Sequence, residues 1–172
     1  SALATSGGNR EEIDRLIGLL RDKYTACIDG LLAGERNAKA KEAMERAWAN
    51  IVAEVDQFRD YNSDRVILSQ GELPTTAIFA VLMEGVGSKT RLLHAPDFMH
   101  TDDENRVDVG GLEKTLGPLV DDKDTYYVTQ GFICTNSRGG IDNLGRGGSD
   151  YSAALIGAAI NAGAVQVWTD ID

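Results

Sequence analysis

Tyr126-Tyr127-Val128-Thr129-Gln130-Gly131-Phe132-Ile133, then Leu144-Gly145-Arg146-Gly147-Gly148-Ser149-Asp150-Tyr151-Ser152-Ala153-Ala154, then Val165-Gln166-Val167-Trp168-Thr169-Asp170 are the stretches that decide the fold. The first is rich in β-branched and aromatic residues and reads as a strand. A glycine-rich loop from Asn136 to Gly148 leads into a helix of small residues over Asp150–Ala162. The third stretch reads as another strand. Strand, glycine loop, helix and strand make a βαβ unit, which predicts a parallel pair with the loop at its carboxyl edge.

Working outward, the first third predicts two helices. Asn9 and Glu12 have capping-box spacing, with Asn in place of the usual Ser or Thr. Ile13, Leu16, Ile17, Leu20, Tyr24, Cys27, Ile28, Leu31 and Leu32 then recur at helical spacing, and Gly34 reads as a stop. Ala43, Ala47, Trp48, Ile51, Val52, Val55 and Phe58 form a second stripe. The short link predicts an antiparallel hairpin over residues 9–60. Arg65–Ser69 fits a strand or the end of a helix. A helix is expected over Gly71–Glu84, with Pro74 in its first turn. Thr90–Leu93 reads as a strand and His100–Asp108 as a loop.

The 172 residues suit one domain with a substantial core. Apolar residues make up 42% and charged residues 26%, a globular balance. Seventeen Lys and Arg against 27 Asp and Glu leave a net charge of -10. Such a chain lacks the basic footprint for nucleic acid and is unsuited to an anionic membrane surface, although a local basic pocket could hold an anion. Cys27 and Cys134 are too few and too far apart for a disulfide scaffold or a zinc site. No basic leader precedes the first apolar residues, and a cytoplasmic location is expected. The chain reads as part of a longer protein, since it stops directly after a strand that needs covering.

The densest chemical signal is Leu144–Tyr151. Its glycines let backbone amides approach a ligand, and Ser149 is placed to cap the following helix. The positive end of that helix, with Arg146, suits a carboxylate or phosphate, and Asp150 could orient a cationic group. The run is not a Walker loop, because no Gly-Lys-Ser/Thr follows. On spacing alone it reads equally as a tight turn. Gly71-Glu72 could place a carboxylate for an ammonium group, or simply complement a helix dipole. His94, His100, Asp97, Asp102 and Asp103 match neither zinc nor EF-hand spacing. No metal ligand is expected among them, and Cys134 reads as packing.

Gly131-Phe132-Ile133, the Leu144–Ala154 block and Val167-Trp168-Thr169-Asp170, in this order, resemble the aspartate kinases of the amino-acid kinase superfamily. Ser69-Gln70-Gly71-Glu72 is similar to the family's Gly-Glu signature, and the helical hairpin to its insert. The resemblance covers most of the chain, strongly from Gly131 onward. It implies a three-layer α/β/α sheet, mostly parallel, with the hairpin (9–60) inserted beside an α/β portion (65–172). The whole would be part of a catalytic domain, truncated at both ends.

The implied activity is ATP-dependent phosphorylation of the L-aspartate β-carboxylate, the first step toward lysine, threonine and methionine, with ATP and Mg as cofactors. By position, Arg146 would pair with the substrate α-carboxylate, with Gly147, Gly148 and Ser149 completing that site, and Glu72 would take the α-ammonium. Asp150 would organise the catalytic lysine, and Thr169 and Asp170 would contact the nucleoside. Phosphoryl transfer depends on positioning and charge neutralisation, so no nucleophilic side chain is required. The family's Lys-Phe-Gly-Gly strand is absent, which places the catalytic lysine outside this chain. Ile141-Asp142-Asn143 stands where the family has threonines, and Cys134 where it has glycine. The expected partners are L-aspartate and ATP, with neither nucleic acid nor membrane, and the full-length protein is expected to be a homo-oligomer. The alternative is a non-catalytic amino-acid-binding or assembly module that keeps the signature for folding.

Overall fold

The computed structural model describes residues 10–56 and 61–168, and the chain divides into two compact units, Ser1–Leu92 and Leu93–Asp172. In the first unit, α1 (Arg10–Leu31) and α2 (Gly34–Asp56) are joined by two residues. Their pairing is antiparallel, because the bonded partners run in opposite directions along the two helices. Asp29 meets Asn37 and Lys41, while Arg21 meets Glu45. Gly34 is a hinge at φ 58 between the helices rather than a simple end. Asn9 and Phe58 of the predicted hairpin lie outside the described residues.

The third helix, α3 (Tyr61–Gly85), is longer than predicted. It absorbs Arg65–Ser69 and places Pro74 deep inside rather than in the first turn. Pro74 offers no N–H to the carbonyl one turn back. The hydroxyls of Thr75 and Thr76 bond the carbonyls of Gly71 (2.6 Å) and Glu72 (2.9 Å) beside it. By length and hydropathy residues 64–85 could cross a bilayer. In this fold, however, Ile67, Ile78 and Val81 are buried in a core with Met44, Trp48 and Ile51. Tyr24 packs edge-on to Trp48, with ring centroids 6.1 Å apart. A short strand, β1 (Thr90–Leu92), follows α3.

The second unit contains α4 (Val109–Leu116), β2 (Tyr126–Val128), β3 (Ile133–Thr135), β4 (Ile141–Asn143) and α5 (Gly148–Ala159). Asp108 caps α4 by accepting from the Gly111 amide at 2.9 Å. Leu93, Phe98, Met99, Leu112, Leu116 and Cys134 form the core, which confirms Cys134 as a packing residue.

Three local expectations fail here. The predicted strand 126–133 is broken into β2 and β3, because Phe132 adopts φ 68 and turns the chain. Gln130, just before the turn, is buried and accepts from the Ala95 amide at 2.8 Å. The predicted loop contains β4, which pairs antiparallel with β3 (Ile133 opposite Asn143, Thr135 opposite Ile141). Val165–Trp168, the described part of the expected final strand, has no strand pairing, so the parallel βαβ pair is not formed among the described residues. A strand exists only through its ladder, and Val165, Val167 and Trp168 remain exposed.

Candidate functional site

β4 ends at Asn143, and five residues later α5 begins. Gly145 (φ 75) and Gly147 (φ 74) both adopt the left-handed conformation, where a side chain is strained. These two positions turn the backbone sharply enough to set Arg146 on the crest of the loop, exposed, with no ion pair among the described residues. The N-cap of α5 is Gly147, with no side-chain capping bond. Ser149, expected to be that cap, instead lies within the first turn.

The first-turn amides have different fates. Gly148 N–H donates to the Gly145 carbonyl (3.0 Å) and Tyr151 N–H to the Gly147 carbonyl (3.0 Å). Among the described residues nothing accepts from the Ser149 and Asp150 amides. Two free N–H groups, the positive end of a helix and an exposed guanidinium therefore converge on one loop. That arrangement suits a carboxylate, to which Arg can present two parallel donors. Asp150 is exposed in the same first turn.

The loop is held tightly against the β3 entry. A Cβ on Gly148 would come within 3.0 Å of the Phe132 ring and 3.1 Å of Leu144 Cβ. A Cβ on Gly131 would meet Ser149 Cα at 3.0 Å. Asn143, noted in the sequence only as a departure, is buried and accepts from the Gly145 amide at 3.2 Å, which fixes the turn before Arg146. Its neighbour Asp142 accepts from Asn136, whose own oxygen gathers the amides of Arg138 and Gly140 in the β3–β4 turn.

Glu72 belongs to the other unit. It sits in the middle of α3, so it does not complement a helix dipole. Ser69 and Gln70 of the same signature face inward: Ser69 donates to the Arg65 carbonyl at 2.8 Å, and Gln70 accepts from Asn50 at 3.3 Å. Glu72 is half-buried, has no ion pair among the described residues, and burial raises its carboxyl above the usual range. Thr169 and Asp170 lie outside the described residues.

The other chemical candidates resolve as structure. Asp102 accepts from the amides of Glu104 and Arg106 and pairs with the Arg106 side chain, which organises the 100–108 loop. Those bonds, first the Arg106 amide, lower its pKa. No group of three or more His, Cys, Asp or Glu converges among the described residues. A cleft of about 610 Å³ lies at the opposite end of α5, between Leu116, Tyr127, Thr129, Ile156 and Ile160. Its wall is mainly apolar and includes none of the predicted site residues.

The chain is similar to known proteins in both sequence and structure. The chain is 30% identical over 139 residues to the lysine-sensitive aspartokinase 3 of Escherichia coli, covering 76% of this chain and 31% of that protein. It is 27% identical over 180 residues to an aspartokinase of Rickettsia conorii, covering 98% and 42%. The chloroplastic aspartokinase 1 of Arabidopsis thaliana is 36% identical over 124 residues, 66% of this chain and 21% of that protein. The chain thus spans well under half the length of these relatives. In three dimensions it matches E. coli aspartokinase III solved with aspartate and ADP, with a TM-score of 0.86 and 26% identity over 98% of this chain and 40% of that one. The α/β class read from the sequence therefore stands. The model of the amino acid kinase family matches residues 3–172, and the chain belongs to that family.

Proposed function

We propose that the chain carries the amino-acid half-site of an aspartate kinase. The observation that carries this reading is the loop in which two left-handed glycines set Arg146 beside the free amides of Ser149 and Asp150. L-Aspartate presents two carboxylates and one ammonium. Arg146 pairs with its α-carboxylate, and the Gly147-Gly148-Ser149 backbone completes that cradle. The resemblance assigns the α-ammonium to Glu72, a half-buried carboxylate with no ion pair among the described residues. Asp150 orients the catalytic lysine supplied by the longer protein, and Thr169 and Asp170 contact the nucleoside.

In the reaction, a β-carboxylate oxygen attacks the γ-phosphorus of ATP. The bond to the ADP oxygen breaks, giving β-aspartyl phosphate and ADP, the entry to lysine, threonine and methionine synthesis. Nothing in that step asks this chain for a nucleophile. Its contribution is to hold the acceptor in line and keep its other charges neutralised. E. coli aspartokinase III was solved with aspartate and ADP, which supports both ligands for this chain. Mg would come with the nucleotide. The reading implies a cytoplasmic, homo-oligomeric parent enzyme.

Calorimetric titration of the 172-residue chain tests the reading. L-Aspartate should bind, succinate (no ammonium) and L-glutamate (one methylene longer) should bind at least tenfold more weakly, and no turnover with ATP is expected. A folded chain that binds none of them, or does not distinguish them, contradicts it.

A further inference from the structure

The geometry points to Ser152 as a positioning residue that locks a strained turn at Phe132 to the first turn of α5, and so holds the Arg146 loop in shape. The inference deepens the substrate reading above and rests on it for its consequence. Ser152 is 2% exposed, one turn into the helix. Its Oγ donates to the Gly148 carbonyl at 2.8 Å, an ordinary back-bond for a helical serine. What is unusual is its second bond: Oγ also accepts the amide of Phe132 at 3.0 Å, twenty residues earlier. The hydroxyl's donor and one of its acceptor sites are thereby both engaged.

Phe132 needs that partner. Its φ of 68 is costly for a bulky residue, and Ile133 N–H closes a three-residue turn onto the Gly131 carbonyl at 2.7 Å. This is the rare, strained positive-φ form of the γ-turn, which persists only where the surroundings over-determine it. Here each part of Phe132 is held by the loop or the helix. Its N–H bonds Ser152, its carbonyl accepts from Leu144 N–H at 2.8 Å, and its ring lies against Gly148. Leu144 is two residues from Arg146. Without the Ser152 hydroxyl, the half-buried Phe132 amide loses its acceptor, the turn relaxes toward negative φ, and the carbonyl that anchors Leu144 moves with it.

The test compares Ser152→Ala with Ser152→Thr, which keeps the hydroxyl, in the 172-residue chain. L-Aspartate affinity is measured by calorimetry well below the melting temperature of each variant, and Phe132 amide exchange is followed by NMR. The inference predicts that Ser152→Ala binds L-aspartate at least tenfold more weakly and exchanges its Phe132 amide at least tenfold faster, while Ser152→Thr stays within threefold on both. A residue that only stabilises the fold would lower the melting temperature and leave the affinity of the folded chain unchanged, which overturns the proposal. So does an unchanged Phe132 exchange rate in Ser152→Ala. If the parent chain binds no L-aspartate, the substrate reading fails, and the Phe132 exchange rates alone decide for or against the lock.

Discussion

Arg146 stands between two glycines whose φ values of 75 and 74 make the loop possible, and neighbouring glycines serve it for different reasons. Gly147 has open space around it, so Gly147→Ala carries only the conformational cost of a left-handed residue, roughly 1–2 kcal/mol. Gly148 meets Phe132 and Leu144, so Gly148→Ala acts by overpacking, about 1–3 kcal/mol, and displaces the loop. Urea denaturation of both variants, paired with L-aspartate titration, separates the two. Both should be destabilised, and Gly148→Ala should lose more affinity. Glu72 makes a prediction about pH. Burial raises its pKa in the folded state, so the folded chain holds that proton more tightly than the unfolded one. Its contribution to stability is complete below the ordinary carboxylate pKa and is lost as pH rises through the raised value. Glu72→Gln should therefore raise the melting temperature at pH 7, and the advantage should shrink as pH falls toward about 4. Thermal scans at both pH values check this.

The helices show what sequence pattern does and does not specify. The stripes of α1 and α2 were legible because one apolar face every 3.6 residues has a single economical outcome, burial against a partner. Trp48→Ala, at the centre of that core, should cost about 3–5 kcal/mol by denaturant titration. Pro74 misled, because proline usually marks a helix start, and the buried residues on both sides of it (Ile67, Ile78 and Val81) hold the helix together through it. The break at Phe132 was not legible at all. A phenylalanine at positive φ carries no local signal, and what stabilises it, the Ser152 hydroxyl, is twenty residues away. Asn143 and Asp142 were visible only as departures from a resemblance; their place in the loop's hydrogen bonding emerges from the β3–β4 register. Val165–Trp168 has the alternation of a strand, but no strand pairs with it among the described residues.

At the scale of the molecule, the two tryptophans report on opposite environments. Trp48 is buried in the first unit, and Trp168 is 88% exposed. Acrylamide should therefore quench two distinct fluorescence populations, and Trp168→Phe should remove the red-shifted, easily quenched one. A single shielded population would show that the 165–168 segment is covered in solution. The net charge of -10 makes Arg146, placed at a helix N-terminus, a local exception on an acidic chain. Small anions reach such a site by local fields rather than by the overall charge. The chain spans 31% of E. coli aspartokinase 3, and the proposed binding chemistry can be tested on this chain directly. The most direct test of the account is to titrate the isotopically labelled chain with L-aspartate and follow its backbone amides by NMR. The account predicts saturable shifts concentrated at Phe132 and Gly145–Asp150, abolished by Arg146→Ala. Shifts confined to the cleft between Leu116, Tyr127 and Ile160, or no shifts in a folded chain, would contradict it.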